Sequence, residues 1–153
     1  LEQYKNKFLK ITDADMTRFN ITLEDSVKLV IWAIKNAYGS EIIVPKIPSY
    51  KIIDVAKSIC PNCKIKIIGI RPGEKLHEEM ISFEESRNVV ELNNYYIILQ
   101  RNNIKQAHYY KKKFKSKKIK KQFSYNSKEN IEFLDISELR NLITSQKKYL
   151  NSE

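Results

Sequence analysis

Apolar residues recur at the helical interval through TLEDSVKLVIWAIKNAYG, where Val27, Val30, Ile31, Ile34 and Ala37 share one side of a 3.6-residue turn. Thr22 with Asp25 three residues later resembles a capping box, Asp standing where Glu or Gln is usual, and Gly39 suits a left-handed helix end. The pattern predicts a helix with Trp32 and its aliphatic neighbours in a core. EIIV, Glu41 to Val44, then reads as a strand, and PKIPS as a turn with Ser49 capping a helix over Lys51 to Ile59. KIKIIGI, Lys64 to Ile70, is a β-branched strand. Helix, strand, helix, strand is the order of an α/β unit.

Beyond that strand, EKLHEEMIS predicts a short helix with Glu74 near its start. NVVELN and YYIILQ flank Asn93–Asn94 as the arms of a hairpin. DISELRNLITSQKKYL closes the chain as a helix, with Asp135 and Glu138 forming a second capping box. No repeat of solenoid length is present.

Composition changes this picture little. The 153 residues fit one domain, and 42% hydrophobic with 30% charged argues against wholesale disorder. No stretch approaches the roughly 18–20 apolar residues of a membrane span, and no signal-peptide pattern opens the chain, so the expected compartment is cytoplasmic. The chain starts with Leu1 rather than Met, so residue 1 need not be the native start. Charge is more informative. Of the net +10, nine charges come from Lys105 to Lys121, KQAHYYKKKFKSKKIKK, which contains no acid. The basicity belongs to one run and not to the fold, and a solvated insertion is expected there.

Candidate chemistry is sparse. Cys60 and Cys63 form one CPNC pair that follows a helix, whereas a thioredoxin-type motif opens one; half a zinc site, a redox pair and no chemical role are all compatible with it. Gly39, Gly69 and Gly73 make no G-x-G-x-x-G, and there is no P-loop, G-x-S-x-G or H-E-x-x-H. Tyr109 and Lys113 have Tyr-x-x-x-Lys spacing inside the lysine run, where chance supplies it. No catalytic residue and no metal site is assigned to this chain.

One stretch stands apart. In IGIRPGEKLHEEM a strand ends in Arg71, Pro72 and Gly73, with Glu74 next. Together with DADMTRFNITLEDSVKLV, EIIVPKIPSYKIIDVAKSI, SRNVVELNNYYII and SYNSKENIEFLDISELRNLI, it resembles the C-terminal half of the UDP-N-acetylglucosamine 4,6-dehydratases of bacterial polysaccharide biosynthesis. These are extended short-chain dehydrogenase/reductases. The resemblance implies an α/β substrate-binding lobe over residues 1–104, a variable lysine-rich segment over 105–121 and a helical tail over 122–153. It implies that the Rossmann half, with its catalytic Tyr and Lys and its NADP or NAD, is missing here and would join this lobe in cis or in trans.

In such enzymes the cofactor takes hydride from C4 of the sugar, water leaves across C5 and C6, and hydride returns to C6, giving a UDP-4-keto-6-deoxy sugar. By the same resemblance Arg18 and Arg71 contact the UDP diphosphate and Glu74 accepts from the ribose hydroxyls. Paired guanidinium groups suit a diphosphate because each planar fork donates charge-assisted hydrogen bonds. From spacing alone, Arg18 reads as a loop arginine, Glu74 as a helix-start acid and His77 as a packing residue. Thr17, Phe19 and Lys46 stand beside these motif residues and are assigned no role in the site. The rival readings are a stand-alone UDP-sugar-binding or oligomerisation module, forming a homo-oligomer, and an anionic-polymer binder acting through Lys105–Lys121. No specific nucleic-acid partner is expected.

Overall fold

The computed structural model describes residues 8–101 and 103–150. Their contacts group into two units, one drawn from residues 8–20, 48–78 and 127–150 and the other from 21–47 and 79–126.

In the first unit, β1 (Phe8–Ile11) runs parallel to β5 (Lys64–Ile67), and β2 (Thr17–Phe19) pairs antiparallel with β4 (Ser49–Lys51). The helix α2 (Ile52–Ile59) packs on β1, β4 and the closing helix α4 (Ile136–Leu150). Ile11, Met16, Ala56 and Leu139 are buried there. The second capping box forms as read: the Glu138 amide donates to Asp135 Oδ1 and the Asp135 amide to Glu138 Oε2, each at 2.8 Å. Asp135→Ala should therefore cost about 1 kcal/mol in a denaturant melt, and an unchanged midpoint would count against the cap.

In the second unit, α1 (Leu23–Asn36) is capped by Thr22, whose hydroxyl accepts from the Asp25 amide. A four-stranded sheet runs β3 (Ile42–Pro45), β8 (Tyr95–Ile98), β7 (Val89–Glu91), β9 (Lys117–Lys118), with β7 and β8 forming the expected hairpin. β6 (Glu79–Ile81) pairs with β10 (Tyr125–Asn126). On the sheet sits α3 (Ile104–Phe114), whose Tyr110 is fully buried with Val90, Leu92 and Ile97.

Several expectations need correction. Gly39 does not end α1: Ala37 is the extended cap, and Gly39 at φ +134° and Ser40 at +66° shape the following turn. The aliphatic face of α1 is not core, because Trp32 packs on Tyr95 at 4.3 Å and Phe114 at 5.4 Å. Trp32 lies about 100° round the helix from Ile31, so seating it turns Val27, Val30, Ile31 and Ile34 to solvent. Ser49 is a buried strand residue rather than a cap; its hydroxyl accepts from Asn130, and Lys51 occupies the cap position. The strand at Lys64 stops at Ile67, and Ile67, Ile68 and Ile70 are exposed. No helix forms at EKLHEEMIS, because its polar groups are taken by side chains of β2 and of Ser127. Cys60 and Cys63 are joined in a disulfide in the turn after α2.

The lysine run is not an unstructured insertion over residues 104–114. Gln106 and Tyr110, one helical turn apart, anchor α3 while its lysines face outward. A boundary at 104/105 would fall within that helix.

Candidate functional site

The site begins with a turn. Arg71 to Glu74 closes through the Glu74 amide donating to the Arg71 carbonyl at 3.0 Å, and Gly73 in third position has φ +80°. Pro then Gly at the centre with a positive φ at the glycine is what a type II turn requires. Glu74 closes the same turn from the other side, its Oε2 accepting from the Arg71 amide at 3.2 Å. The Arg71 side chain is exposed and has no side-chain partner among the described residues.

Arg18 lies in β2, opposite Tyr50 of β4. Its side chain is largely buried, 17% exposed, and its guanidinium is mostly engaged. Nη1 donates to the carbonyls of Thr17 at 2.7 Å and Leu76 at 3.2 Å. Nε lies 3.5 Å from Glu78 Oε1, and Nη2 lies 3.8 Å from Glu74 Oε1. Of five N–H donors, only those on Nη2 keep capacity for a further acceptor. The two arginines therefore differ: Arg71 can present a whole fork, Arg18 a single nitrogen.

The 76–78 segment that grips Arg18 is itself pinned. The Thr17 amide donates to the Leu76 carbonyl at 3.1 Å, and the Phe19 amide to Glu78 Oε2 at 3.0 Å. Beneath, the Glu78 amide donates to Ser127 Oγ at 2.9 Å, Ser127 Oγ lies 2.7 Å from Thr17 Oγ1, and Thr17 Oγ1 lies 2.8 Å from His77 Nδ1. Thr17 and Ser127 are buried, so these short bonds fix the segment's position. Tyr50 feels the same cluster: burial pushes its hydroxyl pKa up, Glu78 adds to this and Arg18 opposes it.

Of the predicted residues, Arg18, Glu74 and the Arg71 backbone come together, and Thr17 and Phe19 adjoin them. Lys46 lies in the other unit, with its ammonium 2.7 Å from Glu91 and 4.6 Å from the Tyr96 ring centre. His77 is a positioning residue by its contact, on a loop and not a helix. Glu78 and Ser127 were not singled out from the sequence; the acid immediately before β6 and the serine in SYNSKEN carry no spacing signal of their own. A cleft of about 420 Å³ lies beside Thr17, lined by Asp15, Lys51, Leu76, His77, Lys128 and Phe133. Thr17 and Arg18 point to opposite faces of their strand, and none of Arg18, Arg71 and Glu74 lines that cleft.

Tyr109 and Lys113 do meet, Nζ donating to the phenol at 2.8 Å, but the phenol in turn donates to the Asn36 carbonyl at 3.1 Å. The pair ties α3 to the end of α1. Among the described residues no group of three or more His, Cys, Asp or Glu could hold a metal ion, and no helix is long and apolar enough to cross a membrane.

Comparison with known proteins follows the same residues. The family model described as polysaccharide biosynthesis protein matches residues 2–100, ending just before the lysine run. The chain is 55% identical over 92 residues to the UDP-N-acetylglucosamine 4,6-dehydratase (inverting) of Campylobacter jejuni subsp. jejuni serotype O:2, covering 60% of this chain and 28% of that protein. It is 43% identical over 142 residues to the enzyme of the same name from serotype O:23/36, covering 90% of this chain and 42% of that protein. Among solved structures, Pen from Bacillus thuringiensis matches with a TM-score of 0.74 at 31% identity, over 95% of this chain and 44% of that one. The chain thus spans less than half the length of each of these relatives.

Proposed function

The chain belongs to the polysaccharide biosynthesis protein family, and from that premise we propose that it is the UDP-sugar-binding lobe of a UDP-N-acetylglucosamine 4,6-dehydratase acting in the cytoplasm. Arg71 and Arg18 hold the diphosphate, and Glu74 accepts from the ribose. The α/β fold is that of the C-terminal lobe of an extended short-chain dehydrogenase/reductase. The observation that carries the reading is the placement of Glu74, whose carboxylate lies 3.8 Å from the largely buried Arg18 and bonds the backbone amide of Arg71, whose own side chain is exposed. Glu74 has lone pairs to spare after its bond to the Arg71 amide, since a carboxylate offers about four acceptor sites.

NADP or NAD does not fit the described residues. A dinucleotide pyrophosphate needs a glycine-rich turn between a strand and a helix. Gly69 and Gly73 follow β5 without a helix after them, and Gly39 follows a helix. Hydride chemistry therefore belongs to a Rossmann partner in cis or in trans, and this lobe contributes binding that holds the sugar in place.

Titration of the chain with UDP-N-acetylglucosamine tests the reading. Arg71→Ala should weaken binding by roughly 10- to 50-fold, the worth of a charge-assisted hydrogen-bond pair. Its melting curve should stay unchanged, because the exposed side chain has no partner among the described residues to lose. Unaltered affinity in Arg71→Ala would refute the assignment.

A further inference from the structure

We propose that the basic face of residues 104–121 is a docking surface for an anionic lipid bilayer, held mainly by charge. The α3 helix spends its inner face on the core through Gln106 and Tyr110, while Lys105, His108, Lys111, Lys112 and Lys115 lie exposed along its outer side. The basic surface then continues across the short strand β9. Lys118 lines both a cleft of about 990 Å³ with Lys117, Lys120 and Lys121 and a cleft of about 520 Å³ with Arg87, His108 and Lys111. The acid on this face, Glu91, is held by Lys46 at 2.7 Å. Lysines on an edge strand also discourage edge-to-edge pairing, which accounts for Lys117 and Lys118 but not for those of α3.

Two observations favour a bilayer over a nucleic acid. The aromatic rings near the lysines are occupied by one another: Tyr96 packs with Phe123 at 5.2 Å, Tyr109 with Tyr38 at 5.3 Å, and Phe114 with Trp32 at 5.4 Å. Single strands bind on free rings, and these offer none. Ile104, at the head of the basic face, is 82% exposed. An apolar side chain beside Lys105 has a use at a headgroup boundary and none against a hydrated polyanion.

Co-sedimentation with vesicles tests this. The chain should bind vesicles of phosphatidylcholine with about 30% phosphatidylglycerol, ignore pure phosphatidylcholine, and lose binding steeply as salt rises. Each lysine near such a surface contributes about fivefold, so the combined variant Lys105→Gln, Lys111→Gln, Lys112→Gln, Lys120→Gln should lose about a hundredfold or more in partitioning. A control removing the same charge elsewhere, Lys35→Gln, Lys57→Gln, Lys66→Gln, Lys75→Gln, should lose less than about fivefold. All eight side chains are exposed, so both variants keep the fold. No binding to the anionic vesicles, or equal losses in the two variants, would overturn the proposal. Tighter binding to duplex DNA than to vesicles at equal salt would overturn it in favour of a nucleic acid.

Discussion

Replacing Glu41 by glutamine is expected to lower stability by about 1–3 kcal/mol, the cost of leaving donors unsatisfied around a half-buried, multiply bonded carboxylate. Four donors converge on this one carboxylate. The Tyr38 amide at 2.5 Å and the Tyr110 hydroxyl reach Oε1, while the Gly39 amide at 2.7 Å and Gln106 Nε2 at 2.8 Å reach Oε2. Every lone-pair site is used. Glutamine keeps one oxygen and puts an NH2 where the other stood, so two donors would face a donor whichever way the amide turns. Tyr110 and Gln106 are both fully buried and anchor α3 on the sheet, so the loss reaches the whole helix.

The pH dependence has a definite sign. Burial pushes the Glu41 pKa up, but the bonds from Tyr110 and from the Tyr38 and Gly39 amides outweigh it and hold it below the ordinary 4.5. A depressed folded-state pKa contributes stability that is present above the unfolded value and is lost as pH falls through the folded one. Subtracting the Glu41→Gln profile from that of the wild type should thus isolate a difference that shrinks below about pH 4.5. For Tyr110 burial and the Glu41 bond raise the phenol's pKa, so its proton stays in place throughout that range. Melts from pH 7 to pH 3 check both points; a difference that grows on acidification would sink the account.

How much of this could be read from residues alone depends on whether the bonds are local. The Thr22 cap, the Asp135–Glu138 capping box, the Asn93–Asn94 hairpin and the turn at Pro72–Gly73 join residues within a few positions of one another, and all form, although the Asp25 carboxylate takes the Thr22 hydroxyl and not the Thr22 amide that a full box requires. The failures involve partners far along the chain. The 74–82 stretch looks helical until Ser127 and β2, about 50–60 residues away, claim its amides and carbonyls. Glu41 looked like the start of a strand, and Gln106 was one neutral residue among lysines; their bond spans 65 residues. The apolar stripe of α1 was correct as a helix and wrong as a core, since periodicity fixes a face but not what that face meets. At the site, Arg18, Arg71 and Glu74 were named through a family pattern; that Glu78 grips Arg18 follows only from the fold.

That grip sets the largest expected effect on binding. Arg18→Ala should weaken UDP-N-acetylglucosamine binding by more than about a hundredfold, beyond the loss in Arg71→Ala, because it removes the Nη2 contact proposed for the diphosphate and also frees the groups around it. The carbonyls of Thr17 and Leu76 would lose their Nη1 donor, and Glu74 and Glu78 would face the ligand with no buried cation between them. Two carboxylates beside a diphosphate repel it. Arg18→Lys separates these contributions. Lysine restores the charge, but its single ammonium cannot bond two carbonyls, pair with Glu78 and reach a phosphate at once. It should recover part of the affinity and little of the stability, which Arg18→Ala lowers by about 1–2 kcal/mol. Glu78→Gln then tests the grip itself: the guanidinium remains, its Nε partner is neutral, and binding should weaken severalfold while Arg71 is untouched. Titration of the three variants with UDP-N-acetylglucosamine, each with its own melt, distinguishes the cases. Wild-type affinity in a folded Arg18→Ala variant would exclude Arg18 from the diphosphate site and leave it as the residue that fastens β2 to the 76–78 segment.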